Sequence, residues 1–489
     1  MLNKHNIQNT HNLQNKNDQH NIIQLKKHQL IPIQFMKNNK GLIIYHSTGS
    51  GKTLTSLFAM YQFDKPIIVI GPKSSKKAFN DNIIKARLDQ SRITFYTFAK
   101  IKTLMETDMD MFVNKSVIVD EAHNLRNESI ANLMLSSALN KAFKLILLSA
   151  TPVINYVNDF AVLINIVKGY DDLPTERELF NNMYYDTYTG KITNRDILTK
   201  KLQNSVSYYQ QSNDDNYPKA ITKYMQVVMN KEQMKEYVYY VKKIIFKETF
   251  NHAKYNINDK TFFVNLHSVD KKKKNNFLAA TRQLSNAVDN QISPKIIQMF
   301  EVIKKGPFPC VIYSYFLKNG VYLIAGLLEK NNISYATITG NVTDDKINSV
   351  VNKYNDTQYK VLLLSSAGSE SLDLKNTRQI HIMEPHWNEN KITQVIGRAI
   401  RYQSHNSLKV KDRNVIIYRW ISTFPEDIAT QSADQYLMEL SEKKNIIAED
   451  FVEIIKKVAI ENNGKKNNNN NNFDEQYLKY KKKYMRLKK

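Results

Sequence analysis

The chain has 489 residues, 42% of them hydrophobic, which excludes a globally disordered polypeptide and allows roughly two to four structural units at about 150 residues each. Lys and Arg number 70 against 46 Asp and Glu, and the resulting +24 favours a polyanionic partner, either nucleic acid or an anionic membrane face. Only 12 of those 70 are Arg, so part of the surplus reflects the Lys and Asn bias of an AT-rich genome. The lone cysteine, Cys310, excludes an intramolecular disulfide and any cysteine-built zinc or iron–sulfur centre, and fits a reducing compartment. MLNKHNIQNTHNLQNKND at the start lacks the apolar core of a signal peptide, and no run approaches the ~20 apolar residues that span a bilayer, so integral membrane association is not expected.

Residues 1–21 carry no periodicity and read as disordered. IIQLKKHQLIPIQFM from Ile22 predicts a short helix, with a break or turn at Pro32. GLIIYH then reads as a strand, STGSGKT as a loop and TLTSLFAMY as a helix. Further strands are predicted over KPIIVIGP (65–72), ITFYTF (93–98), KSVIVDE (115–121) and FKLILLSAT (143–151), with helical spacing between them. Compact apolar strands alternating with helices predict a mainly parallel α/β unit over residues 22–165. Residues 166–217, including SVSYYQ, read as a helical, tyrosine-rich insertion. A second α/β unit with helical elements is predicted over 218–422: AITKYMQVVMN as an edge strand, a helix near 231–247, Lys271–Lys274 in an exposed loop, then strands at 309–315, 333–340, 359–366, 378–385 and 415–422. Helices follow over 423–462, an Asn-rich linker over 463–472, and a basic tail over 473–489 whose lysines interleave with Tyr, Leu and Met. That tail reads as an interaction segment, for nucleic acid, an anionic membrane or protein.

HSTGSGKT, between a strand and a helix, has the setting of a phosphate-binding loop. Thr48, Gly49, Ser50 and Gly51 can turn backbone N–H groups inward at a helix start, Lys52 can reach the terminal phosphates, and the Thr53 hydroxyl suits Mg2+. His46 stands where the usual pattern has Gly. VIVDEAH ends a strand with an acidic pair: Asp120 as the metal carboxylate and Glu121 as the base toward water. His123 is a candidate relay to the next motif, SATP (149–152). QVIGRAIR places Arg398 and Arg401 on one predicted helical face as cations for the γ-phosphate, with Gln394 and Gly397 beside the nucleotide. Gln29 is a candidate adenine contact, and Ser365, Ser366, Ser371 and Thr97 are candidate donors to a phosphate backbone.

The order HSTGSGKT, VIVDEAH, SATP, SAGSESLDL, QVIGRAIR resembles the superfamily 2 helicases over roughly residues 25–422. SVSYYQ, the extension GRAIRYQSH and the form ATPVIN bring it nearer to the branch of large cytoplasmic DNA viruses, with poxvirus nucleoside triphosphatase I, the small subunit of the poxvirus early transcription factor, and asfarvirus and mimivirus relatives. Ser371 departs from the Gly that this family often has in its fifth motif. The resemblance implies an α/β fold of two tandem RecA-like P-loop lobes with a mainly helical middle segment and a basic C-terminal tail. It also implies an ATPase using ATP and Mg2+ and stimulated by DNA or RNA held through the sugar-phosphate backbone. Its implied setting is viral transcription in the host cytoplasm or the virion, alongside viral RNA polymerase or other transcription proteins. Translocation or unwinding, remodelling of a transcription complex without strand separation, and an inactive nucleic-acid-binding scaffold are the competing readings. The intact Lys52, Asp120, Glu121 and Arg401 oppose the last.

Overall fold

Short runs of Ile, Val and Leu become strands buried on both faces, and the segments between them become the helices that cover them. The computed structural model describes residues 24–126, 129–150, 157–186, 189–210, 216–246, 266, 269–289, 291–340, 342–366, 372–386, 389–426, 428 and 430–463. The N-terminal 1–21, the linker from residue 464, the basic tail, Thr151 and Pro152 of SATP, and Ser371 lie outside the described residues. The described chain divides into two units: one takes the residues up to Ser47, Gly51–Gln210 and those from Ala448 on, the other Thr48–Ser50 and Gln211–Ile447.

In chain order the first unit contains α1 (Lys27–Asn38), β1 (Gly41–His46), α2 (Lys52–Tyr61), β2 (Ile67–Ile70), α3 (Ser75–Lys85), β3 (Ile93–Tyr96), α4 (Phe98–Met105) and β4 (Ser116–Val119). It continues with α5 (Ile130–Leu139), β5 (Lys144–Ser149), α6 (Asn158–Lys168), α7 (Arg177–Tyr184), α8 (Arg195–Leu202) and β6 (Val206–Tyr209). The strands form one parallel sheet in the order β3-β2-β4-β5-β1-β6. Such an order sets the ends of β1 and β4, where the phosphate-loop and acidic motifs fall, on the same edge. Gly41 opens β1 under α6, where an added Cβ would lie 2.3 Å from the Val167 carbonyl oxygen, so only glycine admits this approach.

Two local expectations differ in this unit. α1 runs unbroken through Pro32, because Pro32 removes only one backbone donor while His28, Gln29, Ile33 and Met36 bury the same face. SVSYYQ supplies strand β6 instead of helix: Ile43 N–H donates to Ser205 O and Ser47 N–H to Tyr209 O, both at 2.9 Å. β1 would otherwise carry an unpaired edge there, and that edge draws the segment out of the helical insertion.

The second unit holds β7 (Lys219–Val228), α9 (Lys231–Tyr240), α10 (Lys271–Leu284), α11 (Pro294–Lys305), β8 (Cys310–Tyr313), α12 (Leu323–Lys330), β9 (Tyr335–Ile338) and α13 (Asp344–Asn355). After them come β10 (Val361–Leu364), β11 (Gln379–Ile382), α14 (Glu389–Ala399) and β12 (Asn414–Thr423). Its sheet is also parallel, in the order β9-β10-β8-β11-β12-β7, with β7 on the edge as its alternating sequence suggests. Lys271–Lys274 open helix α10 and are not a loop: the Asp270 carboxylate accepts the Lys272 and Lys273 N–H groups and caps them.

α15 (Ala433–Val458) carries the chain from the second unit back to the first, and α16 (Ile460–Asn463) ends the described chain. Tyr436 and Leu437 pack with Met234, Tyr237 and Phe277 of the second unit. Phe451 meets Phe160 of the first unit edge-on at 5.2 Å, and Ile460 enters the core shared by α1 and α2. The C-terminal helices are thus parts of both units and not an appendage. Among the described residues, no helix is long and apolar enough to cross a membrane.

The second core stores a pH dependence. His381 on β11 is fully buried and stacks on Tyr418 and Trp420. Trp420 Nε1–H donates to its Nδ1 at 3.1 Å, so the other nitrogen carries the proton toward Gln379 Oε1 at 3.3 Å. Burial pulls this neutral imidazole down to about 3. The unfolded chain, with histidine near 6.5, binds the extra proton first, so this stability is full above about pH 6.5 and drains as pH falls toward about 3. Urea unfolding at about pH 5 should show this unit about 2 kcal/mol less stable than at about pH 7.5 from His381 alone. His381→Gln should flatten the profile, and a wild-type profile already flat would contradict the account.

Candidate nucleotide-binding and catalytic site

β1 ends at His46, and α2 begins at Lys52 after a turn in which Gly49 and Gly51 take φ of 76° and 85°. These are left-handed values that a side chain disfavours. At Gly51 a Cβ would also stand 2.3 Å from Gln29 Nε2. Gln29, buried on α1, therefore lies against the loop; its Oε1 accepts Lys26 N–H at 2.8 Å. Thr55 donates its N–H and its hydroxyl to the Gly51 carbonyl at 2.9 and 3.0 Å, which ties the turn to the helix. Lys52 Nζ folds back to the carbonyls of His46 at 2.7 Å and Ser47 at 3.1 Å. The Thr53 carbonyl takes the Ser56 hydroxyl at 2.9 Å. A cation, a helix N-terminus and glycine-turned N–H groups converge here, which is the equipment for a polyphosphate.

Asp120 and Glu121 follow β4 on the same sheet edge. Burial and the adjoining Glu121 push the Asp120 carboxyl above its ordinary range, while the Ser75 hydroxyl, the Lys52 ammonium and the Glu121 N–H oppose the rise. Glu121 sits at φ 49°, the left-handed region, so the chain turns sharply right after the strand and presents the two carboxylates differently. Its Oε2 is 3.2 Å from His123 Nδ1, so the histidine proposed as a relay pairs first with the candidate base. Ser149, the described hydroxyl of the third motif, is buried at the end of β5. An Asp120 carboxyl raised by burial and by the adjoining Glu121 is relieved by a divalent cation, so the donor set fits Mg2+. Ser75 escaped sequence reading: it lies in GPKSS, just past a predicted strand, and nothing local marks it as the partner of a carboxylate from β4.

In the second unit Gln394, Gly397 and Arg398 lie on α14, but Arg401 does not, contrary to the predicted shared helical face. The helix stops at Ala399 because Leu374 N–H takes the Arg398 carbonyl at 3.1 Å, the acceptor a continuing helix would offer to Tyr402. Arg401 turns back instead, with Nε on Gly397 O at 3.1 Å and Nη1 on Asp373 Oδ1 at 3.4 Å. Of the proposed backbone donors, Ser365 is buried at 5% exposure and cannot present its hydroxyl to a polymer. Ser366 accepts from Lys391 Nζ at 3.3 Å, and the Thr97 hydroxyl oxygen caps α4 through Lys100 N–H at 3.2 Å.

A family model described as an SNF2-related domain matches residues 65–291, and one described as a helicase conserved C-terminal domain matches residues 294–403. An Acanthamoeba polyphaga mimivirus protein named as an ATP-dependent RNA helicase is 55% identical over 444 residues, which cover 90% of this chain and 98% of that protein. The African swine fever virus protein (isolate Pig/Kenya/KEN-50/1950) named "Termination factor NPH-I homolog" is 24% identical, over 87% of this chain and 76% of its own length. Among solved structures, the Sulfolobus solfataricus SWI2/SNF2 ATPase core in complex with dsDNA is similar at 17% identity and a TM-score of 0.37, covering 89% of this chain and 97% of that one.

Proposed function

Because the chain belongs to the superfamily 2 helicases, in the branch of ATPases of large DNA viruses, we propose that it hydrolyses ATP to ADP and phosphate in order to move along or remodel nucleic acid. The observation that carries this reading is the joint placement of Lys52, Asp120 and Glu121 on one edge of one parallel sheet, beside a glycine turn that only a bare backbone fits. Thr48, Gly49, Ser50 and Gly51 cradle the phosphates, and Lys52 neutralises them. Thr53 and Asp120 are the residues that would hold Mg2+, which when bound draws charge off the phosphate oxygens. Glu121 orients water and takes its proton, while Arg398 and Arg401 supply positive charge to the transferring group. Gln29 and Gln394 complete the nucleotide contacts.

The polymer is held through its sugar-phosphate backbone, a reading supported by the +24 charge and by the mimivirus relative's name. A role in viral transcription is supported by the name of the African swine fever virus relative; work in the host cytoplasm beside viral RNA polymerase or its factors is part of the same proposal. That same name favours a second reading, remodelling without strand separation. Turnover of the full chain, measured alone and with single- and double-stranded DNA and RNA, tests the proposal. A rise with at least one polynucleotide is expected, and an active enzyme indifferent to all of them would overturn the nucleic-acid reading. Strand displacement measured beside turnover separates the two forms: hydrolysis without displacement selects remodelling.

A further inference from the structure

His46, the first residue of the phosphate loop, is completely buried, and its ring is linked through Ser207 to Glu461 on α16. β6 lies beside β1 with Tyr209 opposite His46, and it presents Ser207 to the ring at 2.7 Å from Nε2. Ser207 has one proton, and it goes to the carboxylate of Glu461 on α16. His46 must therefore donate its Nε2–H to Ser207, which fixes its tautomer, and burial with His28 and Lys52 nearby holds the imidazole well below its ordinary value and neutral. The second oxygen of Glu461 accepts Tyr208 N–H at 2.9 Å. Ile460, next in the chain, is buried in the core formed by α1 and α2, so the carboxylate is anchored from its own side too. The His28 and Tyr209 rings, stacked at 3.6 Å, meet the His46 ring edge-on at 5.7 and 5.8 Å and leave it little room to turn.

We propose that Glu461 is a positioning residue for the nucleotide loop, acting through Ser207 on His46, and that α16 is thereby part of the ATP site. The link to nucleotide is the His46 carbonyl, which receives Lys52 Nζ at 2.7 Å. The ring orientation fixes the strand-to-loop junction, and that junction fixes the resting place of the ammonium that meets the phosphates. A glycine at position 46 would offer no such handle, so the departure from the usual motif and the remote carboxylate explain each other. Asp450, also from the returning segment, accepts Ile192 N–H at 3.1 Å and holds that segment against the first unit independently of Glu461.

The inference rests on the ATPase reading, so the experiment keeps the two apart: wild-type turnover, and its loss in Lys52→Ala, judge the reading before Glu461 is touched. Glu461→Ala should then raise KM for ATP about five- to tenfold and lower kcat by a smaller factor, since Lys52 is kept and Glu121 and Asp120 are not disturbed. Ser207→Ala should do the same while the Tyr208 bond and Ile460 keep α16 docked. Glu461→Gln keeps one acceptor oxygen where the carboxylate has two, so it should recover only part of the affinity. In a His46→Gly background the Glu461→Ala effect on KM should vanish, because the handle is gone. An unchanged KM in folded Glu461→Ala and Ser207→Ala would overturn the proposal. So would an undiminished Glu461→Ala effect in the His46→Gly background.

Discussion

Lys52→Ala is expected to lower ATP turnover about a hundred- to a thousandfold, weaken nucleotide binding, and lower the melting temperature by only a few degrees. The catalytic loss follows from charge. The first motif contains one long cation, set at a helix start where phosphate oxygens would gather, and its stabilisation of developing charge has no substitute in a loop of Ser, Thr and Gly. The small cost in stability follows from how that cation is spent in the structure. Lys52 Nζ donates to the His46 and Ser47 carbonyls at 2.7 and 3.1 Å from a partly buried position, so the loss is on the order of 1–3 kcal/mol of hydrogen bonding. The turn itself is held by other groups: Thr55 on the Gly51 carbonyl, and β6 along β1. Lys52→Arg should not restore activity, because a planar fork cannot take the place of a compact ammonium folded against two carbonyls of its own loop. Steady-state turnover with thermal unfolding on the same samples decides this. A Lys52→Ala chain hydrolysing ATP within about tenfold of wild type would mean that the loop is not the site.

The two sheets were legible because each central strand is covered on both faces. IIVI at 67–70 and VLLL at 361–364 can hardly be anything else, and the motifs follow from where such strands stop. Edges were harder. VSYY at 206–209 carries no run of branched residues and becomes β6 only because β1 offers it a free row of carbonyl and N–H groups. Single interactions redirected other segments: one Asp270 carboxylate turns four lysines into the start of α10, and one N–H from Leu374 ends α14 before Arg401. Within the site, Lys52, Asp120 and Glu121 were visible as local patterns. Ser75 and Glu461 were not, since each gains its meaning from a partner far along the chain. Contacts of that range leave no periodicity to read, and only the folded chain displays them.

Glu121→Gln should separate binding from chemistry where Lys52→Ala merges them. The substitution keeps the length and one acceptor oxygen, so His123, 3.2 Å away, keeps a partner. It removes the capacity to take a proton from water and should cost about 10²- to 10⁴-fold in turnover. Binding should move the other way or not at all. Burial and the neighbouring Glu121 together raise the Asp120 carboxyl, so a neutral side chain at 121 eases the ionisation of Asp120 and takes one negative charge from the approach of a polyanion. ATP affinity measured at equilibrium should therefore hold or increase while single-turnover hydrolysis nearly stops. If both fall together, Glu121 holds the loop and not the water. If neither falls, the proton leaves by another route, and with Asp120 assigned to the metal, the bent turn at φ 49° would have been built for something other than catalysis.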